Sequence, residues 1–305
     1  MEKDKIIKKT IFSQYSVPKI VQNEADSYSL VEWLYRYYIQ RKNVILDFSK
    51  CEYISFPILV FLKLINDKSK YLFNTNIINY NVDPVVDFKF LLTLTVKNDD
   101  KIKYIFLNNY SSQDEETVKK DINKSEKYIR NKDFFKSMRS VLHELIINVY
   151  THSNDAQDYY NYKMYYGIII TQKVIGITIA NNGKLMPDVI CGKGNMIYDR
   201  DFKYLNKACE YGFSTKKEGV GGLGLFTIKN FVKKYNATLD IISGKGFVRK
   251  SYNSENNNWE DEGLDLLYKL PGTMFYIEIN KQYINRNNNN FYNNDLLESI
   301  MIKEI

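Results

Sequence analysis

Cysteine, histidine and long apolar runs are all scarce in this chain. No hydrophobic stretch reaches the roughly 18 residues a membrane span needs, so none is expected. The three cysteines are Cys51, Cys191 and Cys209. They lie too far apart for a disulfide framework or a zinc cluster. The opening stretch MEKDKIIKKTIFSQ is charged and has no apolar h-region, so no secretory signal is expected. Few thiols and no export signal point to a reducing cytoplasm. Charge of one sign does not accumulate either. The net charge is +7, and many lysines sit beside acids, as in Lys119-Lys120-Asp121 and Lys216-Lys217-Glu218. A dispersed balance of this kind suits a soluble surface and gives no reason to expect nucleic acid as a partner.

What is present is enough apolar material for packed cores. Hydrophobic residues make up 44% of 305 residues, which excludes global disorder and allows two domains of ordinary size. In the first half, 26–40 (DSYSLVEWLYRYYIQ) has Leu30, Trp33, Leu34, Tyr37 and Tyr38 at helical spacing. The run 43–49 suits a buried strand. A helix is expected from Pro57 to Tyr71, with proline at its first turn. Strand is expected over 75–80, helix over 85–92 and strand over 102–107. Alternating strands and helices imply an α/β layer with parallel pairing. The stretch from Ser111 to Lys136 is charged and poor in apolar residues at its start. The boundary is placed there, near residue 120, which makes 1–120 one domain.

The second half centres on Val141 to Ser153, VLHELIINVYTHS. Val141, Leu142, Leu145, Ile146 and Val149 recur at helical spacing. Glu144 and Asn148 then share one face, four residues apart. A carboxylate above a carboxamide on a mostly apolar helix costs free energy unless both find partners. Two strand-like runs follow, 164–171 and 174–180, joined by Gln172-Lys173, so a hairpin is expected. The second ends in Asn181-Asn182-Gly183, a turn signal. An irregular stretch is expected from Lys184 to Gly219, with a short helix over 202–210. Loops of that length usually form lids or binding segments. Gly219, Gly221, Gly222 and Gly224 then lead into a helix over 225–235. A glycine-rich entry to a helix offers free N–H groups to an anion such as phosphate. It is neither a P-loop nor a Rossmann fingerprint, because the Lys-Ser/Thr and the βαβ context are missing.

Glu144 and Asn148 on a helix, Asn182-Gly183 after a strand, and Gly222-Leu223-Gly224-Leu225 before a helix come in a fixed order. That order resembles the GHKL ATPase family, the Bergerat nucleotide fold of gyrase, histidine kinases and anti-sigma-factor kinases. Phe213-Ser214-Thr215-Lys216 is similar to the family's lid box, and Pro271-Gly272-Thr273-Met274-Phe275 to its last strand. The resemblance covers about residues 131–280 and is nearest to the histidine-kinase and anti-sigma branch. It implies an α+β fold: a Bergerat α/β sandwich over 121–280, with a mixed sheet and helices on one face. It also implies bound ATP and Mg²⁺. Asn148 would hold the metal and Glu144 would act on the attacking group. Asn181, Asn182, Gly183 and Thr273 would line the nucleotide, with Thr215, Lys216 (or Lys217), Gly221, Gly222, Leu223, Gly224 and Leu225 around its phosphates.

Two positions depart from the family pattern. Asn181 stands where Asp is usual, offering a neutral acceptor for a charged one. Val220 stands at the first glycine of the usual triplet. Both histidines, His143 and His152, fall on the nucleotide helix, so histidine autophosphorylation is not expected. His143 is read as structural.

In the first half, VILDFSKCEYISFPILVFLKL is similar to the STAS signature, with Ser55-Phe56 where Asp-Ser is usual. This implies a small α/β regulatory domain, and a protein partner reached through it or through the lid. Three functions stand open: an ATP-dependent regulatory switch, an anti-sigma-type serine/threonine kinase with Ser55 or a partner as acceptor, and a binding module without turnover. The stretch 249–270 is expected to be an extended hairpin loop or a partner-docking arm. Past Asn280 the chain reads as an Asn-rich linker, and the tail 295–305 as a helix packing on its own domain or on a second copy.

Overall fold

The computed structural model describes residues 13–31, 44–48, 50–70, 75–78, 101–110, 115–153, 164–194, 197–213 and 224–286. Its centre is a five-stranded sheet built from β6 (Ile102–Tyr110), β7 (Met164–Thr171), β8 (Val174–Asn181), β9 (Thr238–Asn253) and β10 (Asn258–Asn280). The strand order is β6-β7-β8-β10-β9. All four pairings are antiparallel, where the sequence led to a mixed sheet. The reason is local: β7–β8 and β9–β10 each join by a short turn, and a tight turn returns the chain antiparallel. The β7–β8 hairpin forms where its two apolar runs place it.

Sequence-adjacent residues on these strands point to opposite faces. On one face Tyr166, Ile168, Ile177, Ile179, Leu239, Ile241 and Ile277 form a core with three helices. These are α2 (Glu115–Lys124), α3 (Lys132–Ser153) and α6 (Gly224–Tyr235). Asn131 caps α3: its Oδ1 accepts from the Phe134 amide at 2.9 Å. Asp133 adds favourable charge in the first turn. The far end of α6 closes on Asn236, whose φ of 47° is the left-handed conformation common after a helix.

The second face is covered as well, a departure from the expected one-sided arrangement. Gly176, Thr178 and Ala180 alternate along β8 and keep that face shallow. Onto it packs α1 (Phe56–Lys70), whose Ile58 and Phe61 join Tyr165, Ile169, Ala180, Ile242, Met274 and Tyr276 in one core. Pro57 sits in the first turn of α1, where its missing amide costs nothing. Around α1 lie two small sheets. One is β1 (Ser13–Ser16), β3 (Val44–Asp47) and β5 (Thr75–Ile78), paired in parallel as alternating elements imply. The other is β2 (Ile20–Val21) with β4 (Tyr53–Ile54), also parallel. Residues 25–28 form a 3₁₀ turn and 29–31 begin a helix. The rest of the expected 26–40 helix, and the one over 85–92, lie outside the described residues.

Several elements differ from their sequence reading. Strand β6 belongs to the central sheet, and Val118 and Ile122 of α2 to its core. Strand β6 and the first turns of α2, with Val118, precede the boundary placed near residue 120. The stretch after Lys184 contains α4 (Met186–Gly194) ahead of α5 (Asp201–Ala208). Residues 249–270 form an extended hairpin of paired strands: β9 and β10 pair continuously from Asn253–Asn258 to Gly246–Asp265 about a turn over 254–257. Trp259 of this arm lies under Lys229 of α6 at 4.7 Å, so the arm packs on its own chain. Lys281–Arg286 is a helix, α7, not the start of a linker. Its Ile284 is buried, and its carbonyl accepts from Asn131 Nδ2 at 3.2 Å. The tail beyond residue 286 lies outside the described residues.

Candidate functional site

The two helices that carry the candidate residues pack side by side and run antiparallel. Phe134, near the start of α3, meets Tyr235 at the end of α6 edge-on, with ring centroids 4.8 Å apart. Phe231 stacks beside it at 5.9 Å, and Tyr235 donates to Ser137 Oγ at 3.2 Å. Aromatic anchors at one end set the register at the other. Two to three turns further along α3, Glu144 and Asn148 come against the first residue of α6, Gly224.

The approach is close. A Cβ built on Gly224 would lie 2.8 Å from Asn148 Nδ2 and 3.2 Å from Glu144 Oε2. Any side chain at 224 would have to displace the Asn148 carboxamide. Glycine at this position therefore lets the Asn148 carboxamide stand where it does. The site combines three chemistries at one place: a carboxylate, a carboxamide oxygen, and the amino-terminal end of a 12-residue helix. A helix amino terminus offers its first backbone N–H groups and the positive end of its dipole. Glu144 and Asn148 are both half-buried, so they remain within reach of a ligand while the helix is anchored by its apolar face.

A second group assembles at the end of β8. Asn181 pairs across the sheet with Thr273 of β10, and Thr273 with Ser243 of β9. All three are buried. The Ser243 and Thr273 hydroxyls lie 2.7 Å apart, and Ser243 Oγ accepts from the Met186 amide at 2.9 Å. Gly272 has φ of 80°, and a Cβ there would fall 1.7 Å from the Asn181 carbonyl oxygen. No other residue fits that turn without moving β8. Asn182 and Gly183 follow directly and are half-buried.

Apolar side chains link the two groups. Leu225, next to Gly224, packs in a cluster with Ile190, Tyr204, Ala208, Phe213 and Met186. Met186 is the residue whose amide bonds Ser243. Thus Glu144, Asn148, Gly224 and Leu225 are brought together, and so are Asn181 and Thr273, with Met186 and Leu225 in between. Ser243 and Met186 escaped sequence reasoning. Serine on a strand carries no local signal, and Met186 stood in an apparent loop. Thr215, Lys216, Gly221, Gly222 and Leu223 lie outside the described residues.

The donor set can be tested against a metal–nucleotide ligand. No group of three or more His, Cys, Asp or Glu able to hold a metal occurs among the described residues. Magnesium needs no such cage, since it keeps several waters and is usually held by one or two carboxylates together with substrate phosphates. The Glu144 carboxylate, with the Asn148 carboxamide oxygen beside it, is the oxygen set at hand for such an ion.

Four other residues resolve differently. Ser55 is 2% exposed, which places its hydroxyl out of reach of a phosphoryl donor in this conformation. Burial pushes the Cys209 thiol up to about 11 and the Cys51 thiol up to about 11, so both are inert. His143 is half-buried on α3. No described helix is long and apolar enough to cross a membrane.

A scan of the chain against known protein-family models finds no match, and a search of curated proteins likewise finds none.

Proposed function

We propose that the chain is a magnesium-ATP-binding regulatory ATPase of GHKL type, a nucleotide-dependent switch. The observation that carries this reading is the fit of Gly224 against Glu144 and Asn148. Three residues some 80 positions apart meet where a phosphate chain could be held between a carboxamide and a helix amino terminus.

In this reading the amides opening α6 bind the terminal phosphates, and the absence of a Cβ at Gly224 lets them approach. The Asn148 carboxamide oxygen would hold the metal, which would supply positive charge against the phosphates. Glu144 Oε2 accepts the proton of the attacking water and orients it. Asn181 faces the base end, where Gly272 and Thr273 hold its strand. The Bergerat arrangement for 121–280 and a STAS-like identity for the amino-terminal part belong to the same proposal, as does a protein partner reached through that part or the lid.

Burial of Ser55 speaks against a kinase acting on its own amino-terminal segment; phosphotransfer would need an acceptor on another molecule. A binding module without turnover would leave the Glu144 carboxylate without a task. Incubation with γ-labelled ATP and Mg²⁺ separates these readings. Free phosphate is the expected product. Label on protein would replace the ATPase with a kinase, and uptake without release would replace it with a binding module. No uptake of any adenine nucleotide in calorimetry would end the proposal.

A further inference from the structure

We infer that the amino-terminal segment regulates the candidate nucleotide site through strand β9; this rests on the nucleotide reading above. The contact between the two is a polar clasp in an otherwise apolar interface. Asp240 of β9 is fully buried. Its Oδ1 accepts from Arg249 Nε at 2.8 Å and its Oδ2 from the same guanidinium at 3.0 Å. Asn23 of the amino-terminal segment donates its amide to Asp240 Oδ2. Arg249 reaches back to the Asn23 carbonyl at 2.5 Å, and Tyr28 donates to Asn23 Oδ1 at 2.7 Å. Asn23 therefore bonds three partners, two of them on one strand of the central sheet.

A buried carboxylate is held only while its partners stay in place. Removing the Asn23 side chain takes one of the two donors from Asp240 Oδ2, leaving Arg249 alone to hold the carboxylate, and frees β9 to shift or admit water. Three residues further along the same strand stands Ser243, about 10 Å away at the usual rise. Its hydroxyl joins β10 through Thr273 and α4 through the Met186 amide. Those are the elements that frame Asn181 and, through the Met186–Leu225 cluster, the entry to α6. A change at the clasp thus arrives at both ends of the site along one strand and one apolar cluster. Coupling of this kind is reciprocal: whatever factor the clasp contributes to ligand affinity, the ligand returns to the clasp.

The test uses the full chain and two measurements. Asn23→Ala removes the clasp donor without touching the sheet. Arg249→Lys keeps the charge but loses the two-pronged bond, and serves if Asn23→Ala folds poorly. Glu52→Ala is the control, since its ion pair with Lys19 belongs to the same segment but is exposed on both sides. Hydrogen exchange on the unliganded proteins is expected to show the Met186 amide quickened about fivefold or more in the clasp variants and unchanged in the control. Calorimetry with Mg-ATP is expected to show the same factor in Kd. An unaltered Met186 amide overturns the inference whatever binds. A quickened amide with unaltered Kd also overturns it, while leaving the nucleotide reading intact. No nucleotide uptake by the unsubstituted chain overturns both readings, and the amide data then show whether the clasp reaches Ser243 at all.

Discussion

The two faces of the central sheet are covered by helices in different ways. On one face α3 and α6 pack against each other as well as on the strands, so a helix end meets a helix side. On the other, α1 lies flat on a shallow surface made by Gly176, Thr178 and Ala180, and its Ile58 and Phe61 are wholly buried. A flat contact uses mostly apolar area, the buried Thr178 and Ser55 hydroxyls being exceptions. An end-on contact exposes the unpaired amides of a helix to neighbouring side chains. The proposed chemistry gathers at the end-on contact, and the flat contact contributes buried apolar area.

The largest expected effect separates the faces outright. Glu144→Gln should keep nucleotide affinity and melting temperature while phosphate release falls by about 10²–10⁴-fold, the usual range for loss of a general base. Unchanged turnover in a phosphate-release assay would remove Glu144 from the chemistry. Its counterpart on the other face is Phe61→Ala. This should cost about 3–5 kcal/mol of stability in denaturant unfolding, the range for a large aromatic removed from a core. A loss under 1 kcal/mol would mean that α1 is not held as described.

Both changes act where the sequence is readable to different degrees. The α3/α6 face is legible because its signals are local: apolar spacing marks the helices, and Gly224 sits at a helix entry. The α1 face is legible as a helix but not as a cover for this sheet. Nothing in FPILVFLKL says which of several apolar surfaces it meets. Strand β6 shows the same limit. IKYIFLNNY reads as strand, yet its pairing with β7 is a choice among edges some 60 residues apart. Helix α4 was hidden for another reason: Gly192 and Gly194 argue for a loop, while Pro187 and Asp188 in its first turn argue for a helix. Packing of Ile190 and Met186 against α5 decides between them.

A sharper probe of the end-on contact is Gly224→Ala. The added carbon would meet Asn148 Nδ2 at 2.8 Å, so the carboxamide must rotate away. Mg-dependent ATP affinity should fall by about tenfold, equal to about 1.4 kcal/mol, with little change in melting. Asn148→Ala should abolish the difference between affinity with and without Mg²⁺; a magnesium dependence that survives would reassign the metal ligand.

The smallest expected effect is a slope. Burial pushes the Asp240 carboxyl above its usual value, against the opposing pull of Arg249 and Asn23. The folded state therefore holds this proton at pH values where the unfolded chain, with its carboxyl near about 3.9, has released it. This contribution to stability is complete below the unfolded value and is lost as pH rises through the folded one. Asp240→Asn should flatten that part of the stability–pH curve. An identical curve in urea unfolding would mean that the carboxyl titrates alike in both states.

By itself, the order of residues along the chain determined the helix faces, the β7–β8 hairpin, the place of Glu144 above Asn148 and the glycine at the α6 entry. Each of these depends on neighbours within a few positions, where backbone geometry alone sets the period. Only the tertiary structure decided that Gly224 closes on Asn148, that α1 covers the second face, and that Asn23 completes the bonding of Asp240. Those contacts join residues separated by scores of positions. The free energy that selects them is that of whole surfaces fitting together, which no short stretch of sequence contains.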